Sequence, residues 1–172
     1  MSSQPTSVAA IDFETASNRG DSAVSLGLVM LSGSHPRRAF YSRVAPARAS
    51  SQFSDIHGIS ASEQEAAPSF RSVWRLIEPA LGARPLLIAH NAAFDRRVLR
   101  SMLRSAQLPA FRVRFWCTLA ASRFRWPTRS CNLASVAEYL GVDVDRQHHA
   151  LGDALVVASI AALLPGYPIA PP

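Results

Sequence analysis

Lysine is absent from this chain: all 18 basic positions are arginine. A bias this complete is attributed to GC-rich coding rather than to any one chemistry. The charge it leaves matters more, because against only 12 carboxylates the formal net charge is +6. Such a balance favours a polyanionic partner, with nucleic acid the first candidate. Cysteine is scarce. Cys117 and Cys131 form no C-x-x-C pair, which excludes a disulfide framework. A zinc site completed by His148 and His149 would need unusual ligand spacing. Long apolar runs are missing too: the longest, Ala154 to Leu164, is too short to cross a bilayer and contains Ser159. The start, Met1-Ser2-Ser3-Gln4-Pro5, carries neither a basic nor an apolar export signal. The expectation is a soluble cytoplasmic protein with no membrane partner. With 48% hydrophobic residues in 172, one globular domain with a full core is expected over 1–172, its core about 8–164, followed by a short proline-rich tail.

What is present begins with Val8-Ala9-Ala10-Ile11-Asp12-Phe13-Glu14-Thr15, an apolar run that reads as a buried strand yet carries two acids. Strand alternation puts Asp12 and Glu14 on one face and Ile11 and Phe13 on the other. Two ionised carboxylates this close repel, and a cation or a shared proton relieves the repulsion. Hard oxygen ligands suit Mg2+ or Mn2+. Taken alone, so short a pair is better read as a strand end whose acids reach solvent.

Further along, Ala23 to Leu31 and Arg38 to Val44 read as two more strands, joined by short turns into an antiparallel meander. Residues 45–68 lack periodicity and form an expected loop that contains Ile56-His57-Gly58-Ile59. Phe70, Val73, Trp74 and Ile77 have helical spacing over 69–81, with Ser69 as cap. Leu86 to Ala89 is a compact strand that leads into His90-Asn91-Ala92-Ala93-Phe94-Asp95. A helix is expected over 96–108, with Arg96, Arg97, Arg100 and Arg104 on its outer side. A solvated face accounts for these arginines as well as a phosphate track does. Arg112 to Leu119 reads as a strand. In the next stretch Arg123, Arg125 and Arg129 alternate with Phe124 and Trp126, which either stack on a nucleic-acid strand or anchor the loop. Helices are expected over 132–140, ended by Gly141, and over 148–164.

Asp12 and Glu14, then His90 to Asp95, then His148-His149-Ala150-Leu151-Gly152-Asp153 occur in a recognisable order. In this the chain resembles the DnaQ-like, or DEDD, 3'-to-5' exonucleases. It looks most like the epsilon proofreading subunit of bacterial DNA polymerase III and its stand-alone relatives. The resemblance runs from Val8 to about Leu164 and includes Ile56 to Ile59 and Cys117-Thr118. It implies an α/β, ribonuclease-H-like fold: a mixed five-stranded sheet, the first three strands antiparallel, with helices on both faces. By similarity, Asp12, Glu14, Asp95 and Asp153 hold two divalent ions, Mg2+ or Mn2+, whose charge the four carboxylates balance.

A histidine before the last acid is implied as general base. The histidine type of the family places it five residues before that Asp, at His148, and the tyrosine type four, at His149. His148 is the assignment made here. Backbone groups of Phe13 and Thr15 are implied to approach the terminal nucleotide, with Ile56 and His57 against its base or sugar. Asn91 orients the Asp95 loop, touches substrate or caps the following helix, and His90 is structural. The implied reaction releases nucleoside 5'-monophosphates from 3' ends of single-stranded nucleic acid, DNA favoured. An RNA exonuclease of the RNase T or oligoribonuclease type is the alternative. A non-catalytic nucleic-acid-binding protein of the same fold ranks below both. The short tail makes stand-alone repair or processing weigh as much as proofreading, and a polymerase partner and a homodimer are both left open.

Overall fold

Alternating side chains along the first strand decide how the molecule is layered. In the computed structural model, which describes residues 7–128, 130–145 and 147–164, β1 (Val8–Thr15) sends Ala9, Ile11 and Phe13 into one apolar core and Val8 and Ala10 into another. β1 pairs antiparallel with β2 (Ala23–Ser32), and β2 antiparallel with β3 (His35–Arg43), which is the expected meander. On its other side β1 runs parallel to β4 (Leu86–Ala89), and β4 parallel to β5 (Arg114–Cys117), so the sheet order is β3-β2-β1-β4-β5. All four β4 residues are buried, as a continuous apolar run inside a parallel arrangement requires.

Helices cover both faces. On the Ile11 and Phe13 side lie α3 (Phe70–Leu81) and α4 (Ala92–Ser105), through Trp74, Ile77, Val98 and Leu99. Ser69 caps α3, its hydroxyl accepting from the Ser72 amide at 3.2 Å. On the Val8 and Ala10 side lies α7 (Ala150–Leu163), whose Ala154, Val157, Ala158 and Ala161 let it settle close to the sheet. Outside α7, a further apolar layer joins Val136 and Ala137 of α6 (Leu133–Leu140) to Val156 and Ile160. Trp126 packs into this layer as an anchor, whereas Phe124 is 94% exposed. Arg129, read together with them, lies outside the described residues, as does the proline-rich tail.

The structure departs from expectation where elements are short or polar. Residues 45–68 are not a plain loop but hold α1 (Ser54–His57) and α2 (Ala61–Ala66). α2 is started by a capping box between Ser60 and Glu63, an S-x-x-E signal legible in the sequence, but six residues are too few for periodicity to register. The fifth strand ends at Cys117, and α5 (Thr118–Arg125) follows it directly. The buried residues of α5 are Thr118 and Ser122, both polar, so no apolar stripe marks it as a helix. β3 starts earlier than expected, at His35, and α4 at Ala92. Among the described residues no helix is long and apolar enough to cross a membrane.

Candidate active site

Four carboxylates meet at one end of the sheet, where its central strand β1 stops, because of where their elements begin and end. Asp12 and Glu14 come from the last half of β1, Asp95 from the first turn of α4, and Asp153 from the first turn of α7. The two aspartates on helices sit where the positive ends of the helix dipoles partly offset negative charge. α7 reaches this end through one glycine: Gly27 of β2 lies opposite Asp12, and a Cβ there would stand 2.1 Å from the Ala150 carbonyl oxygen. Any other residue would push the start of α7, and Asp153 with it, off the strand. A lone glycine inside a strand pattern marks such a close approach, a signal that sequence reasoning did not use.

A cavity of about 310 Å³ is lined by Asp12, Phe13, Glu14, Thr15, Phe53, Ile56, His90, Phe94, Leu133, His148 and Asp153. Asp95 is 1% exposed, and neither of its carboxylate oxygens has a hydrogen-bond partner among the described residues. Burial pushes its pKa up to about 8 against the pull of the backbone amides of Asp95 and Phe13 close by, and the Glu14 charge adds a smaller rise. Glu14 is pushed up to about 7, by burial and then by the charge of Asp153. Asp12 is raised well above the usual carboxylate range by burial first, then by Asp95, Glu14 and Asp153. Asp153 is raised by burial, although the backbone amide of His148, donating to its Oδ2 at 3.0 Å, pulls the other way. Each acid thus feels its neighbours. Carboxylates buried together, with Asp12, Glu14 and Asp95 raised further by neighbouring acids, fit a cation-binding cluster, since a cation removes both penalties.

The adjacent histidines separate cleanly. His148 is exposed and has φ 57, a left-handed conformation that costs a non-glycine residue about 1 kcal/mol. Its ring nitrogen and the carboxylate oxygens of Glu14 and Asp153 lie within 4.8 Å of one another. His149 instead caps α7: its Nδ1 accepts from the Gly152 amide at 3.3 Å, and its ring stacks on Tyr41 at 4.5 Å. His90 lines the cavity but is held on both nitrogens, by the Thr118 hydroxyl at 3.0 Å and the Cys131 carbonyl at 2.7 Å, which matches its structural reading.

Of the residues expected near substrate, Phe13, Thr15 and Ile56 line the cavity and Asn91 does not. Asn91 is exposed, with φ 69, and its side chain makes no capping bond to α4. The helix-cap reading therefore fails: Asn91 has left-handed backbone, where a capping residue is extended, and its side chain gives α4 no hydrogen bond. His57 lines a neighbouring cavity of about 730 Å³ that shares Ile56 and His148 with the first. Its Nδ1 accepts the Ile59 amide at 3.1 Å, and the Thr15 backbone also acts on this half-buried ring. Phe53, Phe94 and Leu133 were missed because lone apolar residues at element ends carry no pattern. Cys117 and Cys131 are half-buried free thiols, and among the described residues neither joins a metal-ligating cluster.

Similarity to known proteins extends over nearly the whole chain. A stretch of 155 residues aligns at 32% identity with the PolC-type DNA polymerase III of Thermotoga maritima, and at 31% with that of Thermotoga petrophila. Each match covers 87% of this chain but only 11% of the polymerase, so the chain spans about a tenth of the length of these relatives. Among solved structures, exonuclease X in complex with 5' overhanging duplex DNA superposes with a TM-score of 0.73 at 25% identity, over 90% of this chain and 89% of that one. Exonuclease I shares the fold with a TM-score of 0.78 at 17% identity, over 91% of this chain and 40% of that one. The sequence model of the exonuclease family matches residues 9–161, so with its acidic cluster and its mixed sheet the chain belongs to the exonuclease family.

Proposed function

We propose that the chain is a single exonuclease domain that removes nucleoside 5'-monophosphates from the 3' end of single-stranded DNA, using two divalent ions, Mg2+ or Mn2+. Family membership makes it a phosphodiester hydrolase of a metal-dependent kind. The observation that carries the finer reading is Asp95, a carboxylate buried amid three further acids.

Asp12, Glu14, Asp95 and Asp153 would hold the ions. When bound, these supply an activated water and neutralise charge on the phosphodiester. The remaining work falls to the chain. His148, exposed and within reach of Glu14 and Asp153, takes the proton of the attacking water at an imidazole nitrogen. Its place in the loop before α7 lets it approach as substrate arrives. Asp153 fixes that loop by accepting the His148 amide. Phe13, Thr15 and Ile56 line the cavity that receives the terminal nucleotide, and His57 borders it from the neighbouring cavity.

Incubating the protein with Mn2+ and 3'-labelled single strands of DNA and RNA of equal sequence tests the reading. Mononucleotide release, faster from DNA, is expected. Preferential release from RNA would make the substrate RNA, and cleavage only within the strand would overturn the assignment.

A further inference from the structure

A second cavity, of about 580 Å³, lies between α4 and the segment 108–113 that leads into β5. Four exposed arginines surround it, Arg96, Arg100, Arg104 and Arg112, over an apolar floor that includes Leu103 and Phe111. Among the described residues that line it, none is acidic. The ion pairs of the described residues are Arg19–Asp21 and Arg43–Glu63, so none of these four has a described carboxylate within bonding distance. Along α4, Arg96, Arg100 and Arg104 repeat every four residues, which places them on one stripe at steps of about 6 Å. Like charges at that spacing destabilise an isolated helix by a few tenths of a kcal/mol per pair. Arg104 recovers some of this in the last turn of α4, where the dipole favours a cation. Arg96 lies near the opposite end, where the dipole disfavours one, and Arg112 is off the helix altogether. Helix stability therefore does not explain the cluster.

We propose that this cavity binds the phosphate backbone of the nucleic-acid strand whose 3' end is processed at the carboxylate cluster. The proposal rests on the reading of that cluster given above. Guanidinium forks match phosphate oxygens bidentately, and the apolar floor offers a surface on which bases lie. A strand is favoured over an acidic peptide by continuity. The stripe starts at the residue after Asp95 and leads away along the same helix, presenting charge at regular steps to a ligand charged at regular steps. Arg104 lies about 13 Å along the helix axis from Asp95, so a strand reaches it only after several nucleotides.

Substrate length therefore decides the matter. Hydrolysis by wild type and by the double variant Arg100→Ala/Arg104→Ala is measured on a dinucleotide and on a strand of about twenty nucleotides. The variant should keep the wild-type kcat/KM on the dinucleotide while its KM on the long strand rises about tenfold. The salt dependence of long-strand binding should become shallower by about 0.7 in log–log slope for each phosphate that the variant no longer neutralises. Arg37→Ala, on β3, the edge strand farthest from β5, controls for net charge and should leave both unchanged. An unchanged long-strand KM and slope in the double variant would overturn the proposal. So would an equal loss on the dinucleotide, or binding of a poly-glutamate peptide that needs these arginines yet does not compete with the strand. If wild type hydrolyses neither substrate, the assignment of the carboxylate cluster fails. Anisotropy of the labelled long strand, with and without the two arginines, then still decides whether the cavity binds it.

Discussion

Two clusters of like charge lie along the same helix, and they differ in what holds them. At the start of α4, Asp95 is buried among Asp12, Glu14 and Asp153, and burial is the largest cause of the raised pKa of each acid. Along its flank, Arg96, Arg100 and Arg104 are exposed, where water screens repulsion and a cluster costs little. Burial thus turns like charge into a demand for a counter-ion, whereas exposure leaves it an open offer to a partner. Removing a member should accordingly damage chemistry at the first cluster and only long-strand affinity at the second.

The largest effect expected is loss of a carboxylate. Asp12→Ala, Glu14→Ala, Asp95→Ala or Asp153→Ala should each lower kcat by several orders of magnitude while strand binding survives better. A variant that keeps a near-normal rate at saturating Mg2+ removes its residue from the metal site. Next comes His148→Ala, expected to slow turnover by about 10^2- to 10^4-fold and to abolish the acidic limb of the pH–rate profile. His149→Ala should instead lower stability, as loss of a helix cap does. Finding the acidic limb lost in His149→Ala and kept in His148→Ala would move the base one residue along.

Gly27→Ala tests whether the close approach of α7 builds the acidic cluster. The added methyl meets the backbone of Ala150 and Leu151, so a destabilisation of about 1–3 kcal/mol should accompany a fall in activity. Wild-type melting together with wild-type turnover would show that the helix is free to shift.

Melting against pH compares the clusters directly. Asp95 and Glu14 have folded pKa values of about 8 and about 7, above the roughly 4 of unfolded carboxyls. The metal-free folded state therefore binds more protons than the unfolded state between those values, and its stability falls as pH rises from about 4 to about 8. Mn2+ held by the folded cluster would compete with those protons, so the gain in melting temperature should be larger at pH 8 than at pH 5. Asp95→Asn should raise the metal-free melting temperature at high pH and weaken the Mn2+ shift. Melting indifferent to both metal and pH would count against a buried anionic cluster. The smallest effect belongs to the exposed cluster: Arg100→Ala should stay within about 0.5 kcal/mol of wild-type stability, and a larger loss, read by denaturant melting, would mean that the arginine is structural.

Sequence order and residue type alone determined the strand that carries Asp12 and Glu14, the meander, the helices with clear apolar stripes, and the acids that the family resemblance groups together. Those features follow from periodicity and from the expense of burying charge, which operate within a few residues. Tertiary structure decided what periodicity cannot carry. Thr118 and Ser122, polar and buried, make α5 invisible to pattern, and the split between His148 and His149 depends on Tyr41 and on the Gly152 amide. The cavity that groups Arg112 with the α4 arginines forms only when segment 108–113 folds back beside the helix. The meeting of four carboxylates likewise waits on packing, since the end of β1 and the starts of α4 and α7 are brought together by long-range packing such as Gly27 against Ala150, whose partners lie far apart in the chain.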